Sequence, residues 1–123
     1  MSLRLDHCLT MLAAVASPAA LSAAPLPRPP AFAMCGVCHK TVATEKSVLG
    51  PNLWGVGGRK AGTMPGFAYS PAMQRSGIVW NRDALLAFVT APQAKVPGTK
   101  MAYGGQKDPK VAGAIVDYVL SLK

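Results

Sequence analysis

The sequence predicts an all-α domain of a few short helices joined by long loops. Three observations carry this. Helix starts are marked by polar caps at Ser70-Pro71, Asn81 and Asp108-Pro109, residue types whose side chains accept from the free backbone N–H groups of a first turn. No run alternates apolar and polar residues as a half-buried strand would. The third is Cys35-Gly36-Val37-Cys38-His39, a C-x-x-C-H motif that signs covalent haem attachment. Two thiols on one helical turn each add S–H across a haem vinyl group, and the next residue offers its imidazole to the iron. A chain of 123 residues makes one small domain. Short helices alone bury too little, and a large apolar group at the centre supplies the missing core.

Residues 1–23 read as a secretory signal: Arg4 precedes an apolar Ala/Leu-rich run from Leu9 to Ala24 that ends in small residues. The run is short of the roughly 20 apolar residues of a membrane span, and Pro18 interrupts it. Cleavage is expected near Ala23 or Ala24, with Ala23 favoured because Pro25 disfavours a cut directly before it. An uncleaved N-terminal membrane anchor is the alternative. Cys8 lies before the apolar run, where a lipid-anchoring cysteine would not, and receives no role. Removal of 1–23 takes one Arg and one Asp, so the net charge of +8 is unchanged. The basic residues are scattered, with no basic run or nucleic-acid motif. Together with export to the periplasm, this excludes nucleic acid and points to acidic protein partners.

The elements follow in order. Residues 24–30 (Ala-Pro-Leu-Pro-Arg-Pro-Pro) form a stiff, extended lead-in to a domain over 31–123. A short helix starts after Pro30, with Phe32 and Met34 as packing residues and the cysteines in its last turns. Residues 40–68 are an irregular loop punctuated by Gly50-Pro51-Asn52-Leu53-Trp54-Gly55 and Gly57-Gly58. Such a loop is tolerable only around something large, against which Leu53 and Phe67 would pack. A helix runs from the Ser70 cap towards Gly77. Another covers Arg82 to Thr90, with Leu85, Leu86 and Val89 on one side and Pro92 as its stop. The last opens at Pro109, with Val111, Ile115, Tyr118, Val119 and Leu122 at helical steps.

Three other readings of the motif compete. A thioredoxin-type dithiol needs a βαβ context, and none is present. A structural zinc site needs four ligands, and the exported chain holds only Cys35, Cys38 and His39 as Cys or His. A plain disulfide leaves His39 without a purpose. For the second axial ligand no further histidine remains after export. The soft donors are Met34, Met64, Met73 and Met101. Core filling suits Met34 and Met73. Met101, which follows the rigid Pro97-Gly98-Thr99 turn, is the best candidate, and Met64 is the second.

Beyond the C-x-x-C-H, the chain carries Gly50-Pro51-Asn52-Leu53-Trp54-Gly55, Gly58-Arg59-Lys60, Pro65-Gly66-Phe67-Ala68-Tyr69, Trp80 and Pro97-Gly98-Thr99-Lys100-Met101. In order and spacing it resembles the class I cytochromes c from Ala31 to the C-terminus. That resemblance implies one haem c, held by Cys35 and Cys38, with His39 and Met101 as axial ligands. It implies that the Pro51 carbonyl accepts from His39 Nδ1, and that Arg59, Tyr69 and Trp80 bond or neutralise a buried propionate with Thr99 helping. Gly105 is expected to turn close to the haem edge, and Tyr118 to lie where the first and last helices pack. Three departures stand out. Pro29-Pro30 cuts the first helix short, Phe88 stands where a tyrosine is common, and Met73 where an asparagine is common. Several docking lysines typical of the family are absent, while Lys46, Lys95, Lys100 and Lys107 remain.

The implied function is a mobile one-electron carrier, monomeric and not an enzyme. Its partners would be a membrane cytochrome bc complex, a terminal oxidase or periplasmic redox enzymes, met by transient electrostatic docking. The alternatives are a dedicated haem subunit of one periplasmic dehydrogenase, a weak haem peroxidase and, in another class, a haem-free dithiol protein.

Overall fold

A computed structural model describes residues 14–19 and 22–123. The expected signal lies mostly outside the described residues, including Arg4, Cys8 and the start of the apolar run. Among the described residues no helix is long and apolar enough to cross a membrane. No strand forms there either. The one β-feature is an isolated antiparallel bridge between Lys60 and Val79.

A 3-10 turn over Pro30–Phe32 runs into α1, Ala33–Gly36. The remaining helices are α2 (Pro71–Arg75), α3 (Arg82–Thr90), α4 (Pro92–Lys95) and α5 (Pro109–Leu120). The expected caps form. Ser70 Oγ accepts from Met73 N, Asn81 Oδ1 from Ala84 N, and Asp108 Oδ1 from Lys110 N and Val111 N. α2 stops at Arg75, two residues before the expected Gly77. Pro92 does end α3, but it also opens the single turn α4, which the sequence reading did not separate. A proline suits the first position of a helix as well as it breaks an interior.

α5 is the backbone of the core. The expected Ile115, Tyr118, Val119 and Leu122 are buried and Val111 is partly buried, while Ala112 and Val116 join them in a wider stripe than the sequence suggested. α5 packs on α3 and on the 3-10 turn, where Phe32, fully buried, meets Tyr118 edge-on at 4.9 Å. Met34 does not pack as expected. It is 69% exposed, because a helix this short turns only one face inward and Phe32 occupies it.

The Pro-rich lead-in compensates for the shortened first helix. Its prolines hold it extended along α5, where the Leu26 backbone N–H donates to Ser121 Oγ at 2.9 Å. The Arg28 guanidinium lies 5.2 Å from the centre of the Phe32 ring. It donates to Thr41 Oγ1 at 3.1 Å and, at a long 3.5 Å, to the Tyr118 hydroxyl. One side chain therefore ties the lead-in to the first turn, the last helix and the segment just after His39.

An Arg28→Ala change removes these bonds and the cation–π contact, each worth about 1 kcal/mol or less at an exposed site. Urea unfolding of the loaded protein is expected to show a loss of about 1–2 kcal/mol with an unchanged visible spectrum.

Candidate haem-binding site

The local chain path explains how the motif is aimed. His39 N and Cys38 N both donate to the Cys35 carbonyl, at 2.9 and 3.1 Å, so the turn closes on itself after α1. Gly50 N donates to the Cys38 carbonyl at 2.9 Å and draws the next loop alongside. A side chain at position 50 would be impossible here. A Cβ would stand 2.6 Å from His39 Cε1 and 2.8 Å from Nδ1. The ring is thus flanked by bare backbone, and its Nδ1 lies 2.7 Å from the Pro51 carbonyl oxygen. A carbonyl only accepts, so Nδ1 carries the proton and Nε2 keeps its lone pair. Burial lowers the His39 pKa, against the smaller opposing effect of the Pro51 bond, and this favours the neutral ring that a metal requires.

Asn52 holds the Pro51 carbonyl in place. Its buried amide donates to the carbonyls of Val42 and Glu45, at 2.8 and 2.7 Å, and accepts from Trp54 N at 2.8 Å. Its backbone N–H donates to Ser47 Oγ, and its carbonyl accepts from Arg59. In the sequence Asn52 stands out only as part of the Gly50–Gly55 motif. An asparagine between proline and an apolar pair was the available signal for a loop-bracing amide.

The motif opens on an apolar cavity of about 190 Å³. Cys35, Cys38, His39 and Pro51 line it, with Leu53 and Phe67 as expected, and Leu85, Phe88 and Ile115 behind. Arg59, Tyr69, Trp80, Thr99 and Met101 also reach it. Of the four methionines weighed, Met73 and Met101 line the cavity. Met64 instead places its sulfur 3.9 Å from an Arg59 nitrogen. Two of the three departures, Met73 and Phe88, are buried in this wall, and the Phe88 ring is tilted against Trp80 with centroids 5.2 Å apart.

Arg59 and Tyr69 are turned towards the chain itself. Arg59 donates to the carbonyls of Trp54 and Asn52, and the Tyr69 hydroxyl accepts from Met64 N. Burial lowers the Arg59 pKa, partly offset by Tyr69, and raises that of Tyr69. A carboxylate arriving between them would relieve the desolvated cation. Gly105 does not line the cavity. Its φ of +102° serves a close approach to the Thr90 carbonyl, with which a Cβ would collide.

The methionine segment is built from a tight turn. Thr99 N donates to the Val96 carbonyl at 3.0 Å across Pro97 and Gly98, and Gly98 has φ +90°. This is the signature of a type II turn. Thr99 Oγ1 accepts from Met101 N at 3.3 Å, and Lys100 Nζ donates to the Ala68 carbonyl at 3.2 Å. Gln93 on α4 grips this turn at the Gly98 N–H within it and at the Thr99 carbonyl where the chain leaves it.

The chemistry of this wall fits a covalent haem. Two unjoined thiols and one imidazole lone pair face the same apolar space. Burial raises the Cys35 pKa, opposed by a backbone hydrogen bond and helped by Cys38. Among the described residues no three His, Cys, Asp or Glu side chains converge as a metal cluster would need.

No family model matches the chain. It is 43% identical over 94 residues to cytochrome c2 iso-2 of Magnetospirillum fulvum, covering 76% of this chain and 97% of that protein. It is 46% identical over 90 residues to cytochrome c2 of Rhodopila globiformis, covering 73% and 84%. In structure it is similar to cytochrome cH from Methylobacterium extorquens, with a TM-score of 0.68 and 43% identity over 72% of this chain and 89% of that one. Together with the C-x-x-C-H wall, these likenesses show that the chain belongs to the class I cytochromes c, electron-transfer proteins that carry a covalent haem c.

Proposed function

We propose that this protein is an exported, mobile one-electron carrier whose haem c is bonded to Cys35 and Cys38 and held axially by His39 and Met101. The observation that carries this reading is the meeting of these four side chains on one apolar cavity. When bound, haem c supplies a reversible one-electron change at its iron. The chain does the rest. His39 offers Nε2 while Pro51 fixes its ring, and Met101 offers a soft thioether that favours the ferrous state and raises the potential. Leu53, Phe67, Leu85, Phe88 and Ile115 exclude water. Arg59, Tyr69, Trp80 and Thr99 would receive a propionate.

Charge supports docking on acidic proteins such as a cytochrome bc complex or a terminal oxidase. The chain carries +8, and three of its five carboxylates are committed internally: Glu45 to Lys40, Asp117 to Arg82, Asp108 to the α5 cap. No Asp or Glu lines the cavity. A second reading, a dedicated subunit for one periplasmic dehydrogenase, is favoured by the apolar collar beside the motif. Val37 and Leu49 are 68% and 76% exposed, and the Gly50–Cys38 bond brings their segments together.

The deciding experiment is the visible spectrum of the exported ferric protein and of Met101→Ala. The weak far-red band of an iron–methionine bond should be present and should vanish in the variant; a band that persists disproves Met101. The mass of the same preparation should show one added haem and loss of residues 1–23; an intact N-terminus means an anchor. Oxidation by membranes bearing a terminal oxidase should slow on the order of tenfold between about 10 mM and 0.2 M salt. A salt-independent rate favours the dedicated subunit.

A further inference from the structure

We infer that Gln93 is a positioning residue for Met101, acting as a two-armed clasp on the turn that delivers the thioether. The inference rests on the reading of Met101 as the distal ligand.

Gln93 lies in the single-turn helix α4, and its side chain reaches the following turn with both ends of its amide. Nε2 donates to the Thr99 carbonyl at 2.9 Å, and Oε1 accepts from Gly98 N at 3.3 Å. The two bonds seize the Pro97–Gly98 peptide through its N–H and the Thr99–Lys100 peptide through its carbonyl, one on either side of the Gly98–Thr99 peptide. A primary amide matches such a pair because its donor and its acceptor are separate atoms on one planar group. The clasp complements the turn's internal Thr99–Val96 bond, because it ties the turn to a separate helix rather than to itself. α4 is in turn anchored by Pro92, which is fully buried, and by the Ala91 carbonyl, which accepts from both Ala94 N and Lys95 N.

The geometry makes this clasp matter at the cavity. Restraint on Met101 comes from its N-terminal side: Gln93 on Gly98 and Thr99, Thr99 Oγ1 on the Met101 N–H, and Lys100 on the Ala68 carbonyl. On its C-terminal side, among the described residues, no backbone–backbone hydrogen bond holds residues 102–104, and the chain is next fixed where Gln106 N donates to the Val89 carbonyl. Gly98 has left-handed φ and stands close to Ala72, where a Cβ would lie 3.2 Å from the Ala72 Cβ. The turn therefore sits against α2 without being bonded to it. Freed from Gln93, it can swing as a unit and carry Met101 with it. A thioether is a weak ligand, so the persistence of its bond depends on how narrowly the chain confines it.

The test is displacement of the thioether by imidazole in the ferric, haem-loaded protein, followed through the far-red band, with amide hydrogen exchange at Gly98. Gln93→Ala should raise the imidazole association constant about tenfold, as expected for losing two hydrogen bonds of ordinary strength, and should speed exchange at Gly98. Gln93→Glu keeps the acceptor for Gly98 N–H but cannot donate to Thr99, and should fall between wild type and Gln93→Ala. Val116→Ala is the control. Val116 is fully buried in α5 and does not line the cavity, so it should lower the urea midpoint and leave imidazole affinity unchanged. A Gln93→Ala protein with wild-type affinity overturns the inference. So does a Val116→Ala protein that gains affinity in proportion to its lost stability. If the far-red band survives Met101→Ala, the reading beneath fails and the role of Gln93 at the iron falls with it. If the band is lost there but Gln93→Ala is silent, the clasp alone fails.

Discussion

The contact between His39 Nδ1 and the Pro51 carbonyl governs the rest of the site. It selects the tautomer, and so decides which nitrogen faces the cavity. It demands a glycine at position 50, because the loop must pass across the ring face to present the next carbonyl. It also demands that this carbonyl stay still, and the Asn52 amide with its three backbone partners, braced by Arg59, provides that. The loop thereby has the rigidity that strands or long helices supply in larger proteins. Its order comes from satisfied polar groups, and among the described residues no buried side-chain nitrogen or oxygen lacks a partner.

A second economy lies in the division of labour between polar and apolar side chains. The cavity wall is assembled from the first turns with the C-x-x-C-H motif, the long loop, α2, α3, α5 and the methionine segment. Hydrogen bonding stays mostly within loops and caps, while the shared face of the elements is apolar. Such a wall gains its cohesion from what it encloses, in keeping with a chain whose helices are mostly one to three turns long.

Much of this was legible in the sequence, and the reasons are specific. Caps and helix-initiating prolines act within four residues, so Ser70, Asn81 and Asp108 announced their helices correctly. The haem motif is likewise local, and the Leu53 and Phe67 placements followed from asking what a long loop could surround. What escaped was non-local. Nothing near Arg28 tells that it will meet Phe32, Thr41 and Tyr118 at once. Gln93 looks like a surface residue until the turn after it folds back. Met34 was misjudged because an apolar side chain in a one-turn helix carries no periodicity to say which way it faces. Gly105 meets the Thr90 carbonyl closely, a contact with a distant residue that nothing near it in sequence announces.

The bond between Leu26 N and Ser121 Oγ brings the beginning and the end of the folded domain side by side. Neither residue lines the cavity. The two ends could therefore be joined by a short bridge, or each carry another domain, without disturbing the electron-exchanging face. In the language of protein engineering, the molecule is already arranged for circular permutation and for tandem fusion, and a string of such units would keep every haem wall intact.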